Sequence, residues 1–410
     1  MTSENHPVKC GAKNDLTDLA LFGGSALFDK FLSTSNLVKP SFDVFLDYSK
    51  IFYTQGQYTN RGPLSQMLEA RLAKLHDVKH CLVLSGGFWA VVLSLKCLAL
   101  TGRKNVILPS YTYRKLADIV SWAGLSPVFC EVDASTLAMS AETVAPLIDD
   151  NTAAILAVHP IVNQCPVDDL ETLAQSRKIP LVFDSVESTY ETVNGRPIGS
   201  FGDAECFSMH ASKLINGFEG GYVTTNNTEL ANQLYAMRAF GFVGQDEVVT
   251  FGMNAKLNEV HAAMALACLD DLDSQIVRNQ ERYRTYYTEF STVPGVRLLE
   301  FDEAERCGYK CVVIELLESW PLSSEVTLKL LHAEKVIARA QYTPPLHHVS
   351  ASSEVRNAEM VVTNSLAGKY LLLPSGHTVE CADINQIAEL LKYIASNSKG
   401  IIAEINGRSL

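Results

Sequence analysis

At 410 residues, with hydrophobic residues at 47% and charged residues at 20%, the chain has an ordinary globular balance and is long enough for one large core and a smaller one. Its net charge of −12 argues against binding a nucleic-acid backbone, which needs clustered Lys and Arg. No apolar run reaches the length of a membrane span, and the opening MTSENHPVKCGAKND lacks an apolar signal core, so the expected location is the cytoplasm.

Residues 1–40 are polar and then mixed, and are expected to form an N-terminal extension whose opening dozen residues are mobile. Leu64, Leu68, Leu72 and Leu75 fall at helical spacing, with Pro63 near the start, where its missing N–H costs nothing. Residues 80–84 read as a strand that breaks at Ser85-Gly86-Gly87 and resumes as a helix over 88–100. Strand, glycines, helix offers backbone N–H groups to an anion, although two glycines after a strand also suit a plain turn. Strands are predicted over 105–109, 127–132 and 153–159, and helices over 115–123 and 170–176. A buried strand, 179–184, follows. This alternation predicts βαβ units and a mostly parallel sheet. A long charged helix, about 266–289, is expected to bridge to a second unit. Beyond Val296 the pattern is α+β, with a strand at 311–317, a helix at 325–332 and a last helix at 384–395 capped by Asp383. The expected division is an extension (1–40), a large α/β domain (41–275) and a small α+β domain (276–410). The ten cysteines show no CxxC pairing; Cys81, Cys130, Cys206 and Cys268 sit in apolar segments and read as small core residues. No metal-ligand spacing appears.

Two residues carry chemistry in this frame. Asp184 ends a buried strand, where open α/β sheets bind ligands. Lys213 lies in FSMHASKLINGFEGGYVTT (207–225), between Ser208, His210 and Ser212 and a turn bearing Gly217, Gly220 and Gly221. Such a lysine is usually solvated, but it can also turn inward as a Schiff-base nucleophile. A pyridoxal phosphate enzyme needs an anion beside the pyridine nitrogen as well as a lysine. One strand and turn separate Asp184 from Lys213, so the pair can face one planar cofactor from two sides.

From about residue 55 to about 396 the chain resembles the DegT/StrS family of sugar aminotransferases, fold-type I pyridoxal phosphate enzymes. The matching blocks keep the family's order: NRGPLSQMLEARLAKL (60–75), LPSYTY (108–113), PVFCEVDASTL (127–137), VFDSVES (182–188), IGSFGDAECFSMHASK (198–213), FEGGYVTTN (218–226), GMNAKLNEVHAA (252–263) and QYTPPLH (341–347). Eight blocks in order weigh far more than any one.

The resemblance implies pyridoxal 5'-phosphate as cofactor, Lys213 as its Schiff-base and proton-transfer residue, and Asp184 at its ring nitrogen. Glu187 stands where many members have glutamine, near the ring oxygen or the Schiff base. A carboxylate there must be protonated or paired with a cation; the plainer reading is a surface glutamate after a strand. The phosphate falls to the backbone of Gly86 and Gly87, to Ser208 and to Asn254, which reaches over from the neighbouring subunit of a homodimer with shared sites. Otherwise Asn254 caps a helix starting near Leu257. Phe88 replaces the usual threonine, removing a hydroxyl donor; Phe88 and Trp89 also suit a helix core. Tyr113 takes the place of an aromatic that stacks on the cofactor ring. His210 is a candidate substrate or cofactor contact, or a structural histidine. Tyr342 and His347 fall in the family's substrate-proximal stretch. Val162 replaces the glycine of the family's VH-x-x-G turn.

The implied reaction moves an amino group from an amino acid, glutamate by resemblance, to a keto-sugar or sugar-like ketone, with or without a nucleotide. Amino-sugar, cell-surface glycan or secondary-metabolite biosynthesis would use such a product. Two rivals remain. A dehydratase or carbocycle-forming enzyme of the same fold shares the lysine–aspartate pair, although dehydrating relatives carry histidine at the position of Lys213. A non-catalytic cofactor-binding regulator is opposed by retention of both Lys213 and Asp184.

Overall fold

Seven apolar runs form one sheet: β1 (His80–Leu84), β2 (Asn105–Pro109), β3 (Ser126–Cys130), β4 (Thr152–Val158), β5 (Leu181–Asp184), β6 (Ala204–Ser208) and β7 (Gly221–Thr225). The structure is a computed structural model that describes residues 13–35, 38–244, 247–349, 356–357 and 359–408. Strand order is β1-β7-β6-β5-β4-β2-β3, with Arg356–Asn357 paired on the outer side of β3. Neighbours from β6 to β3 run parallel, and β7 is antiparallel to β6 and β1. The mostly parallel sheet expected from the βαβ alternation is therefore present. Unbroken burial along β2, β4 and β7 reflects a sheet covered on both faces.

Helices α1 (Phe42–Gln55), α2 (Pro63–Leu75) and α3 (Gly87–Leu98) follow one another in the chain. Leu64, Leu68 and Leu72 of α2 pack with Ile107, Ile155 and Phe183 on one face of the sheet. Val91 and Leu95 of α3 pack with Leu82, Leu108 and Val182 on the other. Alternate side chains of one strand thus enter opposite cores. A second, four-stranded antiparallel sheet joins Val296–Leu298, Val312–Leu316, Tyr370–Leu373 and Arg339–Ala340 in that order. It shares a core with the helices Ser324–Ala333 and Cys381–Ser396.

Two sequence expectations need correction. The single long helix is two, Glu259–Asp270 and Leu272–Phe290. The break falls at Asp271, whose φ −96° and ψ 2° leave the helical region, and Arg278 pairs with its carboxylate at 2.5 Å. Asp383 is not the cap of its helix but sits at the third helical position, its side chain accepting from the N–H of the N-cap, Glu380. The described part of the segment ahead of α1 is anchored by packing and hydrogen bonds. Leu19, Phe22, Leu27, Phe28 and Leu32 enter the C-terminal core, and buried Glu334 accepts from the N–H groups of Ala20 (2.8 Å) and Leu27 (2.6 Å) and pairs with Lys13 at 2.8 Å. The opening twelve residues, expected to be mobile, lie outside the described residues. Val162 is buried, and the turn's positive φ, 65°, falls on its neighbour Asn163, a conformation asparagine tolerates.

His76, just beyond α2, ties the turn at Ile198 to β7 beneath the site. Its ring donates to the Ile198 carbonyl at 2.5 Å and accepts from the Tyr222 hydroxyl at 3.0 Å. Burial pushes its pKa down to about 4. The unfolded ring titrates near 6.5, so between these values the unfolded state binds more protons. Stability fully present above about pH 6.5 is therefore expected to fall, by about 3 kcal/mol at most from this group, as pH drops through about 4. Urea unfolding across that window should show the loss. His76→Gln, which does not titrate, should lack that part of the slope; identical slopes would exclude His76 as its source.

Candidate active site

The C-terminal ends of β5 and β6, the start of β7 and the N-terminus of α3 converge on one place. Asp184 closes β5 and is buried; its side chain accepts from the Val186 N–H at 3.3 Å. Burial pushes its carboxyl up to about 6, against the pull of that hydrogen bond and of Lys213. Behind it His159, following β4, stacks on Phe183 with ring centroids 5.3 Å apart.

Glu187, three residues on, is mostly buried and paired with two cations rather than a surface residue. One of its oxygens pairs with Lys213 Nζ and the other with Lys310 Nζ, and Lys310 also donates to the Glu187 backbone carbonyl at 2.9 Å. Burial alone would raise its pKa, but the two ammonium groups outweigh it and hold the carboxyl at about 2. Lys213 is only 16% exposed, in the turn after β6, and Lys310 only 4%. Nothing in the sequence singled out Lys310. It lies just before the strand Val312–Leu316, and its carbonyl accepts from the Ser375 hydroxyl at 2.7 Å. The one available signal was a lone lysine at the edge of an apolar run, which is weak.

The glycines let the start of α3 and the start of β7 pack closely. Gly86 is the N-cap of α3 and supplies no side-chain cap, so the first N–H groups of the helix remain available. A Cβ on Gly87 would stand 3.0 Å from Ser208 Cβ, and one on Gly221 would stand 2.6 Å from Gly87 Cα. Strand β7 thus presses against the mouth of α3 at a separation that only glycine permits. Ser208 ends β6 beside this contact, its hydroxyl accepting from the His210 N–H at 3.2 Å. Phe88 brings no donor; its ring packs on Trp89 and Trp122 at 5.0 and 6.4 Å.

The remaining candidates divide. Tyr342, with φ 48°, is close enough to Glu187 and Asp184 that their charges add to burial in raising its phenol well above the usual range; its ring meets that of Tyr111 edge-on at 5.1 Å. Tyr113 is 56% exposed, whereas Tyr111 is buried. His347 is fixed by the Ser110 hydroxyl at 2.5 Å. His210 is engaged by the Ser212 hydroxyl at 2.9 Å and lies 3.8 Å from Glu219. Asn254 is exposed and bridges to Ala239. It does not cap the following helix, because Asn258 is that N-cap and accepts from the His261 N–H at 3.1 Å.

A profile of the DegT/DnrJ/EryC1/StrS aminotransferase family matches residues 45–392. The chain belongs to this family. The dTDP-4-amino-4,6-dideoxy-D-glucose transaminase of Shigella dysenteriae is 25% identical, over 90% of this chain and 98% of its own. GDP-perosamine synthase of Escherichia coli O157:H7 is 30% identical, over 83% and 92%. Among solved structures, DesI in the presence of its TDP-sugar product superposes with a TM-score of 0.90 at 31% identity, covering 96% of this chain and all of DesI. Helicobacter pylori PseC, at 21% identity and TM-score 0.82, shares the fold.

This aminotransferase takes pyridoxal 5'-phosphate, and its residues fit that group. A buried acid with a raised pKa suits a ring cation, open N–H groups at a helix start suit a phosphate, and a mostly buried lysine in the same place suits an aldehyde once it has lost its proton. Gly221→Ala should force β7 from α3, weakening cofactor retention by at least about tenfold and costing about 1–3 kcal/mol of stability. Gly407→Ala, with open space around it, serves as control. Equilibrium dialysis and urea unfolding measure both quantities. Normal retention by Gly221→Ala would discard the start of α3 as the phosphate's place.

Proposed function

We propose that this aminotransferase moves an amino group from an amino acid, with glutamate the expected donor, to the keto group of a nucleotide-linked sugar in the cytoplasm, as a homodimer with shared sites. The observation that carries the reading is the meeting of Asp184, Glu187 and Lys213 at the end of β5. Relatives named for amino-sugar formation favour a keto-sugar acceptor. Arg61, Arg238 and Lys256 line a cavity of about 340 Å³. Glu69 pairs with both arginines, leaving an excess of positive charge suited to a diphosphate.

Bound pyridoxal phosphate supplies an electron sink for the carbon losing its proton. The Asp184 carboxylate would hold a proton on the ring nitrogen, and its burial keeps water from competing for that proton. The N–H groups at the start of α3, with Ser208, would hold the phosphate. Lys213 would take the proton from the donor's α-carbon and return one to the cofactor side of the same bond. Glu187 orients Lys213 through the contact already made.

A second chain is favoured by the loop carrying Asn254. Phe240, Phe242, Val243, Val248, Val249 and Phe251 are all exposed there, an apolar patch of the kind that marks an interface. In a twofold dimer one such loop per chain completes both sites.

Three experiments test the reading. Glutamate labelled with ¹⁵N should pass its label to one member of a panel of nucleotide keto-sugars; a panel left unlabelled sinks the acceptor assignment. Asp184→Asn, nearly isosteric, should slow amino transfer by a factor on the order of 10³ or more with the fold intact, and near-normal turnover would remove Asp184 from the site. Mixing Lys213→Ala chains with Asn254→Ala chains under subunit exchange should restore activity, since one site of each mixed dimer carries neither defect. No recovery despite proven exchange would refute shared sites.

A further inference from the structure

Lys213 faces a conflict that the proposed reaction must resolve. To bond to the cofactor's aldehyde it must first lose a proton, because an ammonium has no lone pair. Yet its partner is Glu187, a carboxylate in a mostly buried setting. If Lys213 were the only cation there, its neutral form would leave a buried anion unpaired, at a cost of several kcal/mol. The pair would lock Lys213 as the ammonium.

Lys310 removes the conflict. It is a second ammonium on the other oxygen of the same carboxylate, with a further hydrogen bond to the Glu187 carbonyl. Its own carbonyl is tied to Ser375, and its side chain is almost wholly covered. It is therefore largely shielded from solvent, and among the described residues its ammonium bonds to Glu187 alone. The other ionisable groups around the pair are Asp184, Glu191, His159, Cys311 and Tyr342. Glu191 is engaged by Gln164 at 2.6 Å, and Asp184 faces the position assigned to the ring nitrogen.

We propose that Lys310 is a positioning residue that holds Glu187 as a paired carboxylate whatever the protonation state of Lys213, and so frees Lys213 to act as an amine. In the step served, the neutral Lys213 nitrogen forms a bond to the aldehyde carbon of pyridoxal phosphate. The aldehyde oxygen leaves as water, carrying both hydrogens of that amine. The same freedom serves each later stage in which Lys213 holds or releases a proton. The proposal rests on Lys213 being the capturing amine, as read above.

The test is covalent capture of added pyridoxal phosphate by cofactor-free protein, followed by absorbance and by borohydride trapping across pH, without any turnover. Lys213→Ala comes first: if it still traps cofactor, the site reading itself fails, independently of Lys310. With that control blank, Lys310→Met should slow capture about tenfold at neutral pH and move its pH midpoint upward by about one unit, the equivalent displacement. Glu187→Gln should move the midpoint downward, because Lys213 then has no carboxylate to hold its proton. The double variant Glu187→Gln/Lys310→Met should return toward the parent, and Lys310→Arg should stay close to it. A packing defect gives no such opposition of sign. Lys310→Gln, which can still donate to Glu187 but carries no charge, stands in if Lys310→Met does not fold, with the same upward displacement expected. An unmoved midpoint in the neutral Lys310 variants, or a double variant as slow as Lys310→Met, overturns the proposal.

Discussion

Glu187 is clamped between two ammonium groups that come from opposite parts of the chain. Lys213 belongs to the loop between β6 and β7, Lys310 to the approach of the C-terminal sheet, and Glu187 to the loop after β5. A buried ion pair contributes little net stability against an apolar alternative, but removal of one member is costly. The triad therefore acts as a geometric constraint more than as a source of stability. It forces the C-terminal sheet to stand against the end of β5. A second carboxylate steadies the same loop from below: buried Glu205 accepts from the Gly199 and Phe201 N–H groups, each at 2.7 Å, and from the Ser185 hydroxyl at 2.5 Å. Asp184 and Glu187 are thus placed by partners on either side.

The same device recurs away from the site. Helix α2 begins at Gly62, which has no side chain to cap it. Glu259 does the work from nearly two hundred residues away, accepting from the N–H groups of Leu64 (2.6 Å) and Ser65 (3.1 Å). A Cβ on Gly62 would lie 2.6 Å from that carboxyl carbon, so the glycine and the distant glutamate require each other. Glu131 serves the helix Val361–Leu366 in the same way, through the N–H groups of Val362 and Thr363. A helix N-terminus attracts an anion, and these carboxylates fasten distant segments by that attraction. Some of the chain's excess negative charge is therefore internal and already spoken for.

What could be read from the sequence follows from the range of each interaction. Strands β1 to β5 announced themselves through local apolar runs, and α2 through its leucine spacing, because burial and period are local signals. Asp184 and Lys213 were visible because β5 and the β6–β7 turn carry short-range patterns. Lys310 was not. Its meaning lies in a carboxylate 123 residues earlier, and alone in Gly-Tyr-Lys-Cys it looks like any lysine. The fate of Glu187 was open for the same reason, since the sequence offered a proton, a cation or solvent and only the fold supplies two cations. The apolar side chains of residues 19–32 are interrupted at Gly23-Gly24-Ser25, and nothing local tells which core they join. The break at Asp271 and the capping role of Glu380 turn on backbone angles that composition does not reveal.

The absent hydroxyl at position 88 has a consequence for assembly. With Phe88 committed to Trp89 and Trp122, the start of α3 is left with neutral N–H donors and Ser208. Lys213 and Lys310 are both engaged by Glu187, so neither is free to serve as the phosphate's counter-charge. A phosphate carrying between one and two negative charges, held there as proposed, would depend on the helix dipole and on a donor from outside the chain. Under the shared-site arrangement that donor is Asn254 of a second copy. Its side-chain amide accepts no other duty among the described residues, and the helix that follows is capped by Asn258 instead. Cofactor retention and dimerisation would then be linked: each phosphate held strengthens the contact between chains, and each contact completes a phosphate site. A family member with threonine at position 88 has an additional donor of its own and should show a weaker link of this kind.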